Sequence, residues 1–217
     1  MEINWDLISN FAIALLAIVN PVEKIPLWVQ ASQGGSRDFR WWLAGLIILS
    51  SACVLLVFLW FGHHLLIQLK VELASFKIGG GLILLQFGFS MLKGTAVELK
   101  ENPIDESGDL KHRVLTRYQQ IFIPIGVPVI AGPGAITTAI IYGYQSQSLL
   151  TDMLLSLTLV GVLAIVFVVL LLSPAIQKIV GNLSLDLVSR VFGMILIAIS
   201  VQFMVEGLSD IFPGWVA

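Results

Sequence analysis

Three long stretches of this chain, Trp41–Leu69, Tyr118–Thr151 and Met153–Gln177, contain no Asp, Glu, Lys or Arg. Each exceeds the roughly 20 residues with which a helix crosses the hydrocarbon core of a bilayer. Only 12% of the 217 residues are charged, against about 25% in an ordinary soluble domain. A soluble chain of this size could not hide so much uninterrupted apolar surface. The expected fold is therefore an all-α polytopic membrane protein, and a secreted, nuclear or cytosolic enzyme is excluded.

Six spans are expected, at 5–31, 41–62, 73–93, 121–144, 152–173 and 187–208. The acidic start, Met1-Glu2-Ile3-Asn4-Trp5-Asp6, lacks the positive charge of a signal peptide, so the first span is expected to stay in the mature protein. Positive residues decide orientation. Arg37, Arg40, Lys93, Lys100, Lys111, Arg113, Arg117, Lys178 and Arg190 fall on one side, nine in all, and only Lys70 and Lys77 on the other. That count puts both termini outside and the 94–120 segment in the cytoplasm. This segment, the only strongly polar one, reads as a solvated linker with no metal or catalytic spacing.

The two sides of the linker resemble each other. At one constant offset, Lys77 pairs with Arg190, Gly80 with Gly193, Met91 with Met204 and Gly94 with Gly207; at an offset one position shorter, Asn20-Pro21 pairs with Gly132-Pro133. The expected organisation is a first three-helix repeat over 1–94, a cytoplasmic linker over 95–120 and a second three-helix repeat over 121–217. Three spans per half is an odd number, so the halves enter the bilayer in opposite directions. Inverted repeats of this kind are a recurrent plan of secondary transporters, with substrate near the midplane.

The first and fourth spans carry helix-start signals in mid-membrane. Asn20 is a favoured N-cap, Pro21 suits a first helical position, and Glu23 falls where a capping box places its acid. Pro26 removes a further amide. Pro124, Pro128 and the run Gly132-Pro133-Gly134-Ala135-Ile136-Thr137-Thr138 repeat this logic. Broken helices are expected at both places, since irregular backbone at this depth is tolerated only inside protein or along a cavity. A restarted helix presents free amides and a positive dipole end, which suits a carboxylate. Gly132 and Gly134 allow close approach of a ligand, and Thr137 and Thr138 add hydroxyls.

Glu23 and Lys24 are costly in hydrocarbon and are expected to face the interior or a wet cavity. Two readings stand for them: a cap with its counter-charge, or a proton and substrate site. Gln86 and Gln202 are candidates for the cavity wall or for bridges between helices. Gly79-Gly80-Gly81 and Gly193 read as close-packing positions. No cofactor or metal is expected: His63 and His64 have no third ligand nearby, and neither a catalytic triad nor a P-loop or dinucleotide fingerprint occurs. The formal net charge of −2 gives no hint of nucleic acid. The one cysteine, Cys53, reads as a small core hydrophobe.

The runs Asn20–Pro26 and Pro128–Thr138, with the ending Gly207–Gly214, resemble the MarC family of six-span bacterial and archaeal proteins, also called the neutral amino acid transporter family. The resemblance covers essentially the whole chain, and Ala131-Gly132-Pro133-Gly134-Ala135 is its most specific part. The Ile211-Phe212-Pro213-Gly214 tail is most similar to the SnatA-like branch. Glu23 stands where the family's Asn-Pro-hydrophobic-Gly segment has its glycine. The resemblance implies transport of small neutral amino acids such as glycine, alanine and threonine, with protons as coupling ion, across the cytoplasmic (inner) membrane of a prokaryote. Alternatives from other classes are a carrier of another small metabolite or drug, and a non-transporting assembly subunit. A channel would want a ring of repeated charges, which Glu23 with Lys24 does not supply.

Overall fold

The computed structural model describes residues 4–93, 109–122, 130–146 and 148–212. Its elements are α1 (Trp5–Val19), α2 (Lys24–Ala31), α3 (Arg37–Gln68), α4 (Leu73–Lys93), α5 (Leu110–Phe122), α6 (Pro133–Gln145) and α7 (Leu149–Ile211). The helical dihedrals of α7 are interrupted at Gly181 (φ 76°, ψ 159°). The element therefore consists of two apolar helices, α7a (Leu149–Gly181) and α7b (Leu183–Ile211). Among the described residues, four helices are long and apolar enough to cross a membrane: α3, α4, α7a and α7b.

Capping fixes several of the starts. Asn4, Ser36 and Ser148 accept the amides of Leu7, Phe39 and Thr151 and so begin α1, α3 and α7. Gly34, with φ of 76°, turns the chain between α2 and α3 in a conformation that side chains resist. The described helices match the second, third, fifth and sixth expected spans, with α3, α7a and α7b running several residues longer. Polar residues such as Asp38 and Lys178, both exposed, continue these helices beyond the apolar stretches.

The first expected span, 5–31, is two helices separated by residues 20–23. The segment up to residue 120, expected as a plain linker, is helical from Leu110. Leu110, Val114 and Tyr118 recur at helical spacing, and Val114 is buried against the core. Arg117 Nε donates to the Ala31 carbonyl at 2.9 Å, and the Arg113 guanidinium lies 5.8 Å from the Phe39 ring centroid. The surrounding charges mask this apolar stripe in the sequence. The rest of the linker, and Pro124 and Pro128 of the fourth expected span, lie outside the described residues.

The core joins Phe11, Leu15 and Val19 of α1 to Leu43 and Leu55 of α3, Leu84 of α4, Ile141 of α6 and Leu155 and Leu159 of α7a. Leu49, Leu157, Ile165, Leu172 and Leu183 are exposed on the outside. In water that distribution would be untenable; against lipid it is what apolar helices present.

α4 and α7b pack antiparallel and very close. A Cβ added at Gly81 would stand 2.8 Å from the Ser200 carbonyl oxygen, and one at Gly88 would stand 3.0 Å from that of Gly193. One at Gly207 would stand 2.6 Å from the Ala74 carbonyl oxygen. Gly81 faces Met204, and Gly193 faces Met91. Small residues let the two backbones approach, which is how helices associate where the hydrophobic effect is absent.

Candidate functional site

α1 and α6 lie side by side and antiparallel. The Phe11 and Tyr142 rings are 5.2 Å apart, and a Cβ at Gly134 would stand 3.4 Å from Ile18 Cγ2. The end of α1 therefore meets the beginning of α6. α4 forms the third wall: the same added Cβ would stand 2.5 Å from Leu84 Cδ2, and Gly80 abuts Thr137. Leu84 is in the middle of α4. The end of α1 and the start of α6 therefore meet at mid-length of α4.

The first break differs in detail from its sequence reading. Asn20 closes α1 instead of opening the next helix. It is fully buried in the left-handed conformation (φ 39°, ψ 80°), and its amide donates to the Leu16 carbonyl at 2.9 Å. Pro21 disfavours the right-handed helical conformation at the residue before it, and asparagine tolerates the left-handed one better than most residues. α2 begins only at Lys24, so Pro21 is in the turn and not at a first helical position. Asn20 Oδ1 accepts the Glu23 amide at 3.5 Å. The reciprocal half of a capping box does not form, because Glu23 Oε2 faces Lys24 Nζ at 3.5 Å.

Of the second expected break, the described residues show the start of α6. Gly132 is the N-cap of α6 in extended conformation and Pro133 opens the helix. Glycine brings no side chain to the first-turn amides. Gly134 is buried, and so are Thr137 and Thr138.

Two side chains at this junction are buried with a polar atom that has no hydrogen-bond partner among the described residues: Nδ2 of Asn20 and Oγ1 of Thr138. An unmet buried polar atom costs about 1–3 kcal/mol, so such atoms in a native core call for a ligand or another explanation. Asn20 stands at the end of α1 that meets Gly134 and Leu84, Thr137 faces Gly80 of α4, and Thr138 is on the side of α6 that Gly134 and Tyr142 turn toward α1. Glu23 and Lys24 follow Asn20 in the chain but pair with each other, with side chains 33% and 20% exposed. Gln86 and Gln202 are exposed, and Gln202 Nε2 donates to Glu206 of its own helix at 3.0 Å. Neither glutamine is buried at the junction.

One polar feature escaped the sequence reading. Lys77 of α4, itself buried, reaches Asp210 at 3.1 Å and Glu206 at 3.6 Å across the α4–α7b seam. Glu206 and Asp210 are four apart and share a helix face, a signal visible in the sequence. Arg190, the expected repeat partner of Lys77, pairs instead with Asp186 on its own helix at 2.8 Å. Among the described residues, no group of three His, Cys, Asp or Glu side chains could hold a metal ion.

Residues 5–212 match the profile of the MarC family integral membrane proteins. The chain is 28% identical over 207 residues to a UPF0056 membrane protein of Escherichia coli, covering 94% of this chain and 93% of that relative. It is 27% identical over 205 residues to one of Buchnera aphidicola, with the same coverage. A third, from the archaeon Methanocaldococcus jannaschii, is 27% identical over 200 residues, covering 92% of this chain and 86% of the relative. No solved structure matches the chain.

Proposed function

We propose that this chain, which belongs to the MarC family of integral membrane proteins, is a proton-coupled secondary carrier of small neutral amino acids in the inner membrane. The observation that carries the reading is the meeting of two helix breaks at the middle of α4, with buried donors on Asn20 and Thr138 unmet. A built but unsatisfied polar centre in an apolar bundle is what a small polar solute requires. A purely structural bundle gains nothing from it.

An inverted repeat is part of the same reading. Each half offers two short helices followed by two long ones: α1 and α2 with α3 and α4, then α5 and α6 with α7a and α7b. On this reading each broken pair makes one crossing, which gives six. The contact of Gly81 with Met204 is matched, to within one position at the offset of the repeat, by that of Gly193 with Met91. Antiparallel packing of α4 on α7b with such reciprocal contacts is what a two-fold axis in the membrane plane would produce. Rocking of the halves about that seam would expose the central junction to either side in turn.

The direct test is counterflow of labelled alanine in proteoliposomes containing the purified chain. Uptake against unlabelled internal alanine, absent from empty vesicles, is the expected outcome. An inert scaffold gives no uptake, and a channel gives equilibration without counterflow.

A further inference from the structure

The two helix ends at the junction have opposite polarity. At α6, Ile136 is the first residue whose amide finds a helical carbonyl, that of Gly132 at 3.0 Å. Pro133 has no N–H, so the buried amides of Gly134 and Ala135 have no acceptor within the helix, and Gly132 supplies none. Thr138 lies one turn on from Gly134, on the face that Gly134 and Tyr142 turn toward α1. Its unmet hydroxyl adds a donor to the α1–α6 seam one turn beyond Gly134, and the unmet Nδ2 of Asn20 adds one at the end of α1.

At α1 the chain presents acceptors. Asn20 takes the Leu16 carbonyl, but Pro21 has no N–H for that of Ala17. The Glu23 amide goes to Asn20 Oδ1 and so leaves the Val19 carbonyl without its helical partner. These carbonyls form the negative end of the α1 dipole, as the Gly134 and Ala135 amides form the positive end of α6.

We infer that the junction is a zwitterion site: the α6 amides, Thr138 Oγ1 and Asn20 Nδ2 hold the carboxylate of an α-amino acid, and the terminal carbonyls of α1 hold its ammonium. This deepens the carrier reading and rests on it. Both substrate charges are met by backbone and neutral side chains, so Glu23 and Lys24 are free to neutralise each other. Leu84 and Ile18 crowd Gly134 so closely that even a methyl group added there would meet them.

The test measures competition against labelled alanine counterflow by two analogues that each lack one pole. Alaninamide has no carboxylate, and lactate has a hydroxyl in place of the ammonium. Each is expected to compete at least about tenfold more weakly than alanine, the effect of losing a charge-assisted hydrogen bond. Thr138→Val, nearly the same shape, is expected to weaken alanine about tenfold or more, and Thr138→Ser to restore it. If alanine exchanges but alaninamide or lactate competes equally well, the polarity assignment is overturned and the carrier reading stands. If alanine does not exchange at all, both fall together.

Discussion

The two helix breaks do the same geometric job with different chemistry. At Asn20 the chain ends a helix in a left-handed turn, spends residues 20–23 outside helical structure, and carries the Glu23–Lys24 pair. At Gly132 it begins a helix through Gly-Pro-Gly and carries no charge. In the proposed inverted repeat, the first half of one broken helix lies beside the second half of the other. A carbonyl end therefore meets an amide end.

The largest effect is expected from filling the space at the second break alone. Gly134→Leu is expected to abolish alanine counterflow, because its Cβ meets Leu84 and Ile18 at the junction. Overpacking of this kind costs about 1–3 kcal/mol, which the protein should survive in detergent. Full activity in a well-folded variant would move the site elsewhere.

Next in size is the charge asymmetry between the halves, read in thermal unfolding. Lys77→Met leaves Glu206 and Asp210 without their cation. Asp210 is half exposed, so the loss is expected to be about 1–2 kcal/mol and not that of a fully buried pair. Arg190→Met breaks only an exposed pair within one helix and is expected to cost less than about 0.5 kcal/mol. Equal losses would mean that Lys77 does not pin α4 to α7b.

A smaller effect separates the conformational and chemical roles of Asn20. Asn20→Gly keeps the left-handed turn, whereas Asn20→Ala is expected to lose about 1 kcal/mol more in stability. Both variants should weaken alanine binding alike, since both remove the amide group. The smallest expected effect is that of Glu23→Gln: it should weaken dependence on the proton gradient while leaving alanine affinity nearly unchanged. Unchanged gradient dependence would return Glu23 to a structural partnership with Lys24.

The long helices were legible because charge-free runs longer than a bilayer crossing admit few other structures. The breaks were legible because proline and glycine change what backbone can do at one position. The sense of the first break was not: an Asn-Pro pair can open a helix or close one, and only the left-handed conformation of Asn20 decides it. α5 was hidden because its apolar stripe is hard to see among Lys111, His112, Arg113 and Arg117. The Lys77 tie was hidden because its partners belong to the other half of the chain, brought near only when the glycines let α4 and α7b close. Gln86 and Gln202 are exposed, which the sequence could not tell, since polarity within a span does not say which way a side chain faces.

In the proposed carrier, substrate occupies the junction of α1, α4 and α6. Thr138→Cys, made in a Cys53→Ala background because Cys53 is exposed, puts one thiol at that junction. Its rate of reaction with a small thiol reagent can be followed in proteoliposomes that still exchange alanine. Alanine is expected to slow the reaction in proportion to its occupancy, and lactate at the same concentration to leave it unchanged. A labelling rate indifferent to saturating alanine, in protein that continues to exchange it, would place the substrate somewhere other than between the two breaks.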